Sequence, residues 1–244
     1  MHKVPGRRGF LIAVAAGAAW AALPSAGRAA EAPTRTLKIG IIGAGKIGGS
    51  LGELWVKAGH EVMLSSRHPE QLQTLAQRLG PRAYVGTPRE AAAFGEVILV
   101  SVPYGALPQV ARDYAQELKG KIVLDPGNPY PDRDGAMAHD ARRRGTGATS
   151  AEYLAGSRLV RAFNTIPHFS LLSEAHRPGE LVAVPLAADD KAALKVAAQL
   201  VRDAGFEPVE VGPLSRAKEF DYGTTVYGRA LTARELRRGL GLGS

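Results

Sequence analysis

Cysteine is absent from the 244 residues. That excludes disulfides, thiolate metal sites and a cysteine nucleophile. Aromatic residues are scarce, at 6%, and none interleaves with the basic runs Arg142-Arg143-Arg144 and Arg237-Arg238. Without rings to stack bases, these runs do not make a nucleic-acid surface. They read as a solvated face or as an attraction for an anionic substrate. The six histidines contain no HExxH and no i, i+4 pair, so metal-ligand spacing is missing. Ser101 with Asp125, and His139-Asp140 with His168, lack a nucleophile elbow, and no catalytic triad is expected. His168 reads as a loop histidine with a backbone partner in preference to a donor to a substrate ring. Tyr222 and Tyr227 read as packing residues before ligand covers.

Acids are missing from the first 30 residues. Arg7-Arg8-Gly9-Phe10-Leu11 is a twin-arginine sequence. Phe10 to Leu23 is an uncharged run of 14 apolar and small residues, short of the ~20 that span a bilayer. Small residues follow at Gly27 to Ala30. Residues 1–32 therefore read as a cleaved Tat-type signal peptide in preference to a membrane anchor, and lie outside fold reasoning. The expectation is an exported, periplasmic protein with no stable membrane span. Without Lys3, Arg7, Arg8 and Arg28 the formal charge falls from +8 to +4. Residues 33–244 are enough for one α/β domain with a sizeable core.

The chain is organised around Ile39-Gly40-Ile41-Ile42-Gly43-Ala44-Gly45-Lys46-Ile47-Gly48-Gly49. An apolar run, Leu37 to Ile42, ends in a glycine turn, and Leu51, Leu54, Trp55 and Ala58 then mark one helix face. Gly43-x-Gly45-x-x-Gly48 thus has strand–turn–helix context. Gly43 suits the tight turn, Gly45 lets backbone approach a pyrophosphate, and Gly48 lets the helix pack closely. A second strand, Glu61 to Ser65, runs into Ser66-Arg67. An NAD enzyme places an acid near here for the ribose diol. None is present. Two hydroxyls and a forked guanidinium suit a 2′-phosphate, which points to NADP.

Strand and helix signals go on alternating. Helices are predicted near Pro69 to Leu79, Pro88 to Phe94 and Leu107 to Leu118. Strands are predicted at Arg82 to Val85, Val97 to Val102, Lys121 to Leu124, Leu159 to Phe163, Leu181 to Leu186 and Glu207 to Val211. The unalternating Val97-Ile98-Leu99-Val100-Ser101-Val102 suits a parallel strand covered on both faces. Asp189 or Asp190 caps a helix ending at Gly205. Asp125 to Ser150, dense in Gly and Pro, reads as a long loop on the ligand side. The expected fold is a doubly wound, Rossmann-type, mostly parallel sheet with helices on both faces. A small helical cap follows from about 214 to 244.

These motifs together resemble the F420-dependent NADP reductase family. The likeness rests on Gly43 to Gly48 with Ser66-Arg67, on Ser101-Val102-Pro103-Tyr104, on Ala162-Phe163-Asn164-Thr165-Ile166-Pro167, and on Gly205 to Leu214. It covers most of residues 37–214. The resemblance implies hydride transfer between NADPH and the deazaflavin F420, or a similar planar acceptor. By position, Ala44, Gly45, Lys46 and Ile47 would contact the pyrophosphate, and Ser66 and Arg67 the 2′-phosphate. Pro103, Tyr104, Asn128 and Ala162 would line the nicotinamide half, and Val102 is a further cofactor-binding candidate. The chain departs from the family at Gln71, where a basic residue stands in the archaeal enzymes, at Asn164 in place of histidine, and beyond Leu214. Same-fold alternatives are a reductase of flavin, imine or ferric chelate, and a non-catalytic NADP-binding module. The partner is a small-molecule electron acceptor, and a homodimer is the default for this scaffold.

Overall fold

The computed structural model describes residues 1–2 and 35–243; the twin-arginine segment and most of the expected signal peptide lie outside them. Among the described residues eight strands form one sheet, in the order β3-β2-β1-β4-β5-β6-β7-β8. The first half contains β1 (Lys38–Ile42), α1 (Lys46–Lys57), β2 (Glu61–Ser65), α2 (Gln73–Leu79), β3 (Ala83–Gly86), α3 (Pro88–Phe94) and β4 (Val97–Val100). Then come α4 (Leu107–Asp113), α5 (Ala115–Leu118), β5 (Ile122–Asp125), α6 (Pro131–Arg144), α7 (Thr146–Tyr153) and β6 (Arg158–Arg161). The chain finishes with α8 (Leu171–Glu174), β7 (Ala183–Ala188), α9 (Lys191–Asp203), β8 (Glu207–Gly212) and α10 (Ala233–Gly239). All neighbours are parallel except β6 and β7.

Period-two alternation sorts the strand side chains between two helix layers. Ile39, Ile41, Val97, Leu99 and Leu124 pack under α1 and α9, whereas Ile42, Ile98, Val100 and Val123 pack under α3, α4 and α7. Trp55 locks the first layer: its indole N–H donates to the Leu200 carbonyl of α9 at 2.8 Å. Asp190, of the two candidate caps, accepts the Ala192 and Ala193 amides at the start of α9. Asp189 instead accepts the Leu214 amide at 3.0 Å.

The expected loop after β5 is two helices. Pro131 opens α6 with Asp132 and Asp134 in its first turn, and Arg142, Arg143 and Arg144 close it. Gly135, at φ 59°, breaks the helix within, and only Ala138 and Ala141 are buried along it. Proline at the start, acids first and bases last are helix signals. The small apolar face and the internal glycine hid them among turn formers.

The C-terminal cap is built from the 3₁₀ turn Leu214–Phe220 and α10. It covers the outer face of β7 and β8, where Ala217, Phe220, Val226 and Leu236 pack on Ala183, Ala187, Val209 and Val211. Among the described residues no helix is long and apolar enough to cross a membrane.

Candidate functional site

The strand order reverses between β1 and β4, because the chain winds outward to β3 and returns on the other side of β1. A crevice outside the carboxyl ends of strands is expected at such a point. Gly43 leaves β1 at φ 96°, and a methyl on it would come within 2.4 Å of the Ser101 carbonyl oxygen. The Gly43 and Ala44 amides both donate to the Ser65 carbonyl, at 3.2 and 2.7 Å, which ties the turn to the end of β2. Gly45 is the N-cap of α1, and none of the described residues lies within 4 Å of where its Cβ would stand. No side chain caps α1 and no acid sits in its first turn. Its free N–H groups and positive helix end form a cradle for an anion. Beneath the cradle, Gly48 packs so closely that a Cβ would meet the Gly43 carbonyl oxygen at 2.2 Å.

The crevice holds about 580 Å³. Gly43, Ala44 and Gly45 form its floor, Ser66, Arg67, Gln71 and Leu72 one end, and Ser101, Val102 and Pro103 the wall from β4. Pro88, Ala106, Gln109, Val110, Asp113 and Tyr114 complete it. Arg67 makes no ion pair among the described residues. Ser66 accepts the His68 amide on its hydroxyl at 2.9 Å, which orders the turn that carries Arg67. A hollow of similar size, about 630 Å³, lies beside Arg158 and Asp190. It sits at the amino end of β6, away from the ligand side, and these two charges neutralise each other at 2.6 Å.

Not every expected site residue reaches the crevice. Lys46 and Ile47 begin α1 and bring backbone to the cradle. Tyr104 is fully buried: the 3₁₀ turn Tyr104–Ala106 turns its ring inward, 3.3 Å from the Ser150 hydroxyl and edge-on to Tyr153. Burial raises its hydroxyl pKa. It packs α7 against the sheet and does not line the crevice. Asn128 and Ala162 are buried just beyond β5 and β6, also outside the lining. His168 is exposed and meets Phe169 edge-on.

The carboxyl ends of β5 and β6 hold a buried polar cluster. Arg161, with no exposure, lies 2.9 Å from Asp125 and 3.3 Å from Asp221 of the cap. It also donates to the carbonyls of Asp125 and Gly127, at 3.0 and 2.8 Å. Burial alone would lower its pKa; Asp125 and Asp221 outweigh that and hold it raised. Asn128 donates to the Asn164 carbonyl at 2.9 Å, and Asn164 donates to the Phe220 carbonyl at 3.0 Å. Between them the chain turns at Phe163, whose φ of 62° is left-handed, a strained state for a bulky residue. Edge-to-face contacts with Trp55 and Phe206 hold it there. Above the cluster, Tyr130 and Tyr227 share a 2.8 Å hydrogen bond, and Tyr222 meets both rings edge-on. Sequence reasoning passed over Arg161 and Asp221. The available signal was an arginine inside the apolar strand Leu159 to Phe163, since a buried guanidinium needs carboxylates brought to it.

Residues 38–129, from β1 through β5 into the loop after it, match the family model described as NADP oxidoreductase, coenzyme F420-dependent. The chain is 30% identical over 204 residues to the Metalloreductase STEAP3 of Rattus norvegicus. That match takes in 81% of this chain and 38% of the relative, so the chain spans about two fifths of that protein. A hypothetical protein, SMa0349, from Sinorhizobium meliloti superposes with a TM-score of 0.71 at 25% identity, over 81% of this chain and 96% of that one. A proposed F420-dependent NADP reductase from Arthrobacter sp. fb24 shares the fold, with a TM-score of 0.63 at 22% identity, over 75% and 87% of the two chains. The glycine cradle and the acid-free end of β2 both lie within residues 38–129, the part of the chain that matches the model of the coenzyme F420-dependent NADP oxidoreductases.

Proposed function

We propose that the crevice holds NADPH, with Gly43, Ala44, Gly45 and the start of α1 at the pyrophosphate, and Ser66 and Arg67 at the 2′-phosphate. The observation that carries this reading is Arg67, a cation on the crevice wall with no ion pair among the described residues. The open space at Gly45 and the uncapped end of α1 fit a phosphate group. Bound there, NADPH supplies a hydride to a planar acceptor, F420 or a ring system like it. The chain's part is orientation and exclusion of water. Val102, Pro103 and Ala106 offer an apolar wall, and direct hydride transfer requires no general acid.

A second reading keeps the crevice and changes the acceptor to a flavin, an imine or a ferric chelate. Its support is the 30% likeness to a protein named a metalloreductase. Export by the twin-arginine route and a homodimeric state belong to the same proposal. They rest on Arg7-Arg8 and on the scaffold.

The test is titration of the chain and of Arg67→Glu with NADPH and NADH, followed by NADPH oxidation with F420, FMN or ferric citrate. Loss of a charge-assisted contact should weaken NADPH at least about tenfold and spare NADH. Unchanged NADPH affinity would remove the 2′-phosphate assignment. NADPH binding with no transfer to F420 would favour the second reading.

A further inference from the structure

Beside the tyrosine trio lies a hollow of about 450 Å³ between α6 and the cap segment from Lys218 to Thr224. His139, Arg142 and Arg143 come to it from α6, and Lys218, Asp221 and Tyr222 from the cap. Its charges are unbalanced. Arg143 is paired with Asp140. Arg142 and Lys218 make no ion pair among the described residues. Asp221, the one carboxylate among the described residues on the wall, is committed inward: it accepts the Thr146 amide at 2.9 Å and faces Arg161 at 3.3 Å. Glu219, next to Lys218, gives its carboxylate to Arg216 at 2.6 Å.

Basic residues in a last helical turn often serve only the helix end. Arg142 does something else. Its guanidinium stands 5.0 Å from the centre of the Tyr222 ring, and that ring meets Tyr130 and Tyr227 at 5.0 and 5.2 Å. Tyr227 in turn receives a 3.4 Å hydrogen bond from Asn128, just beyond β5. An aromatic surface therefore runs from the ligand side of the sheet to Arg142, and Lys218 lines the same hollow. Like charges facing one hollow repel unless an anion lies between them.

We infer that this hollow is an anion subsite, formed by Arg142 and Lys218, for a phosphate-type group on the charged arm of the electron acceptor. The identity of the arm rests on the proposed function; the anion site itself does not. A free phosphate-type effector has the same chemistry, and the experiment separates the two sources.

The whole chain, its crevice first saturated with NADP, is titrated with inorganic pyrophosphate in a calorimeter, beside the double variant Arg142→Gln with Lys218→Gln. Both side chains are exposed, and NADP affinity in the same samples reports separately on the fold and on the crevice. Salt-sensitive binding, weakened at least about tenfold in the double variant, is expected. Absence of binding at about 10 mM pyrophosphate, or equal binding in the double variant, would overturn the inference. NADPH oxidation is then compared with riboflavin and FMN, which differ by one phosphate. A KM advantage for FMN that shrinks toward parity in the double variant assigns the site to the acceptor's arm. Equal KM values with pyrophosphate binding intact overturn that assignment and leave a free effector as the occupant. If NADP itself fails to bind, the crevice reading falls, and pyrophosphate binding tested against the double variant still decides the subsite.

Discussion

Gly45 and Gly48 stand one helical turn apart and meet opposite surroundings. A methyl at Gly45 enters open space, whereas one at Gly48 runs into the Gly43 carbonyl. Gly45→Ala should leave stability within about 0.5 kcal/mol yet weaken NADPH at least about tenfold, because the methyl would occupy the approach proposed for the pyrophosphate. Gly48→Ala should cost about 1–3 kcal/mol through overpacking against backbone. Urea unfolding and NADPH titration of both variants check the pair; equal effects would mean that the two glycines do not divide the roles.

Arg161 poses a different question at the same scale. Its side chain is fully buried between Asp125 and Asp221. Arg161→Met should destabilise the chain by about 3–5 kcal/mol, since two carboxylates lose their shared counter-charge in the interior. A loss below about 1 kcal/mol in urea unfolding would show that the cluster is hydrated and not sealed.

Among the elements, α1 and α2 are joined by Glu53, whose carboxylate takes Arg78 at 2.8 Å and Lys57 at 2.8 Å. The hydrogen bond from Arg78, aided by Lys57, lowers its pKa to about 2. The unfolded chain therefore takes up this proton first as the pH falls. The contribution of Glu53 is full above about pH 5 and is lost between about pH 4.5 and 2, with a size of order 2 kcal/mol. Urea midpoints from pH 7 to pH 2 should fall more gently over that window in Glu53→Gln than in the parent. The helices also show where element signals fail. The predicted helix over 107–118 breaks at Tyr114 into α4 and α5, and the expected loop after β5 is α6 and α7. In both places the apolar period is weak: α4 buries only Leu107 and Val110, α6 only Ala138 and Ala141, and α7 buries small and polar residues, so tertiary packing supplies the stability that propensity lacks.

For the whole molecule, the cap is structural as well as adjacent to the buried Arg161 cluster. It shields Val209 and Val211 on β8, supplies Asp221 to Arg161, and lends the Phe220 carbonyl to Asn164. Truncation after Gly212 should expose that apolar face and release the Arg161 cluster together. A chain so shortened should bind anilinonaphthalene sulfonate and lose cooperative unfolding. Cooperative unfolding with NADPH affinity intact would show instead that the cap is a separable addition.

Much of this arrangement was legible in the amino-acid order. The glycine turn between an apolar run and an amphipathic face, the missing acid after β2, and the unalternating Val97 to Val100 are local patterns with local causes. They determine the doubly wound sheet and the crevice at its reversal point. The tertiary structure alone decided which of the named residues meet. Tyr104 turns inward because a 3₁₀ turn follows β4, and Arg161 finds Asp221 from 60 positions away. Arg142 comes to Tyr222 because the cap folds back over β7 and β8. Such contacts join segments distant along the chain. Each depends on how whole elements pack, and no window of neighbouring residues carries that information.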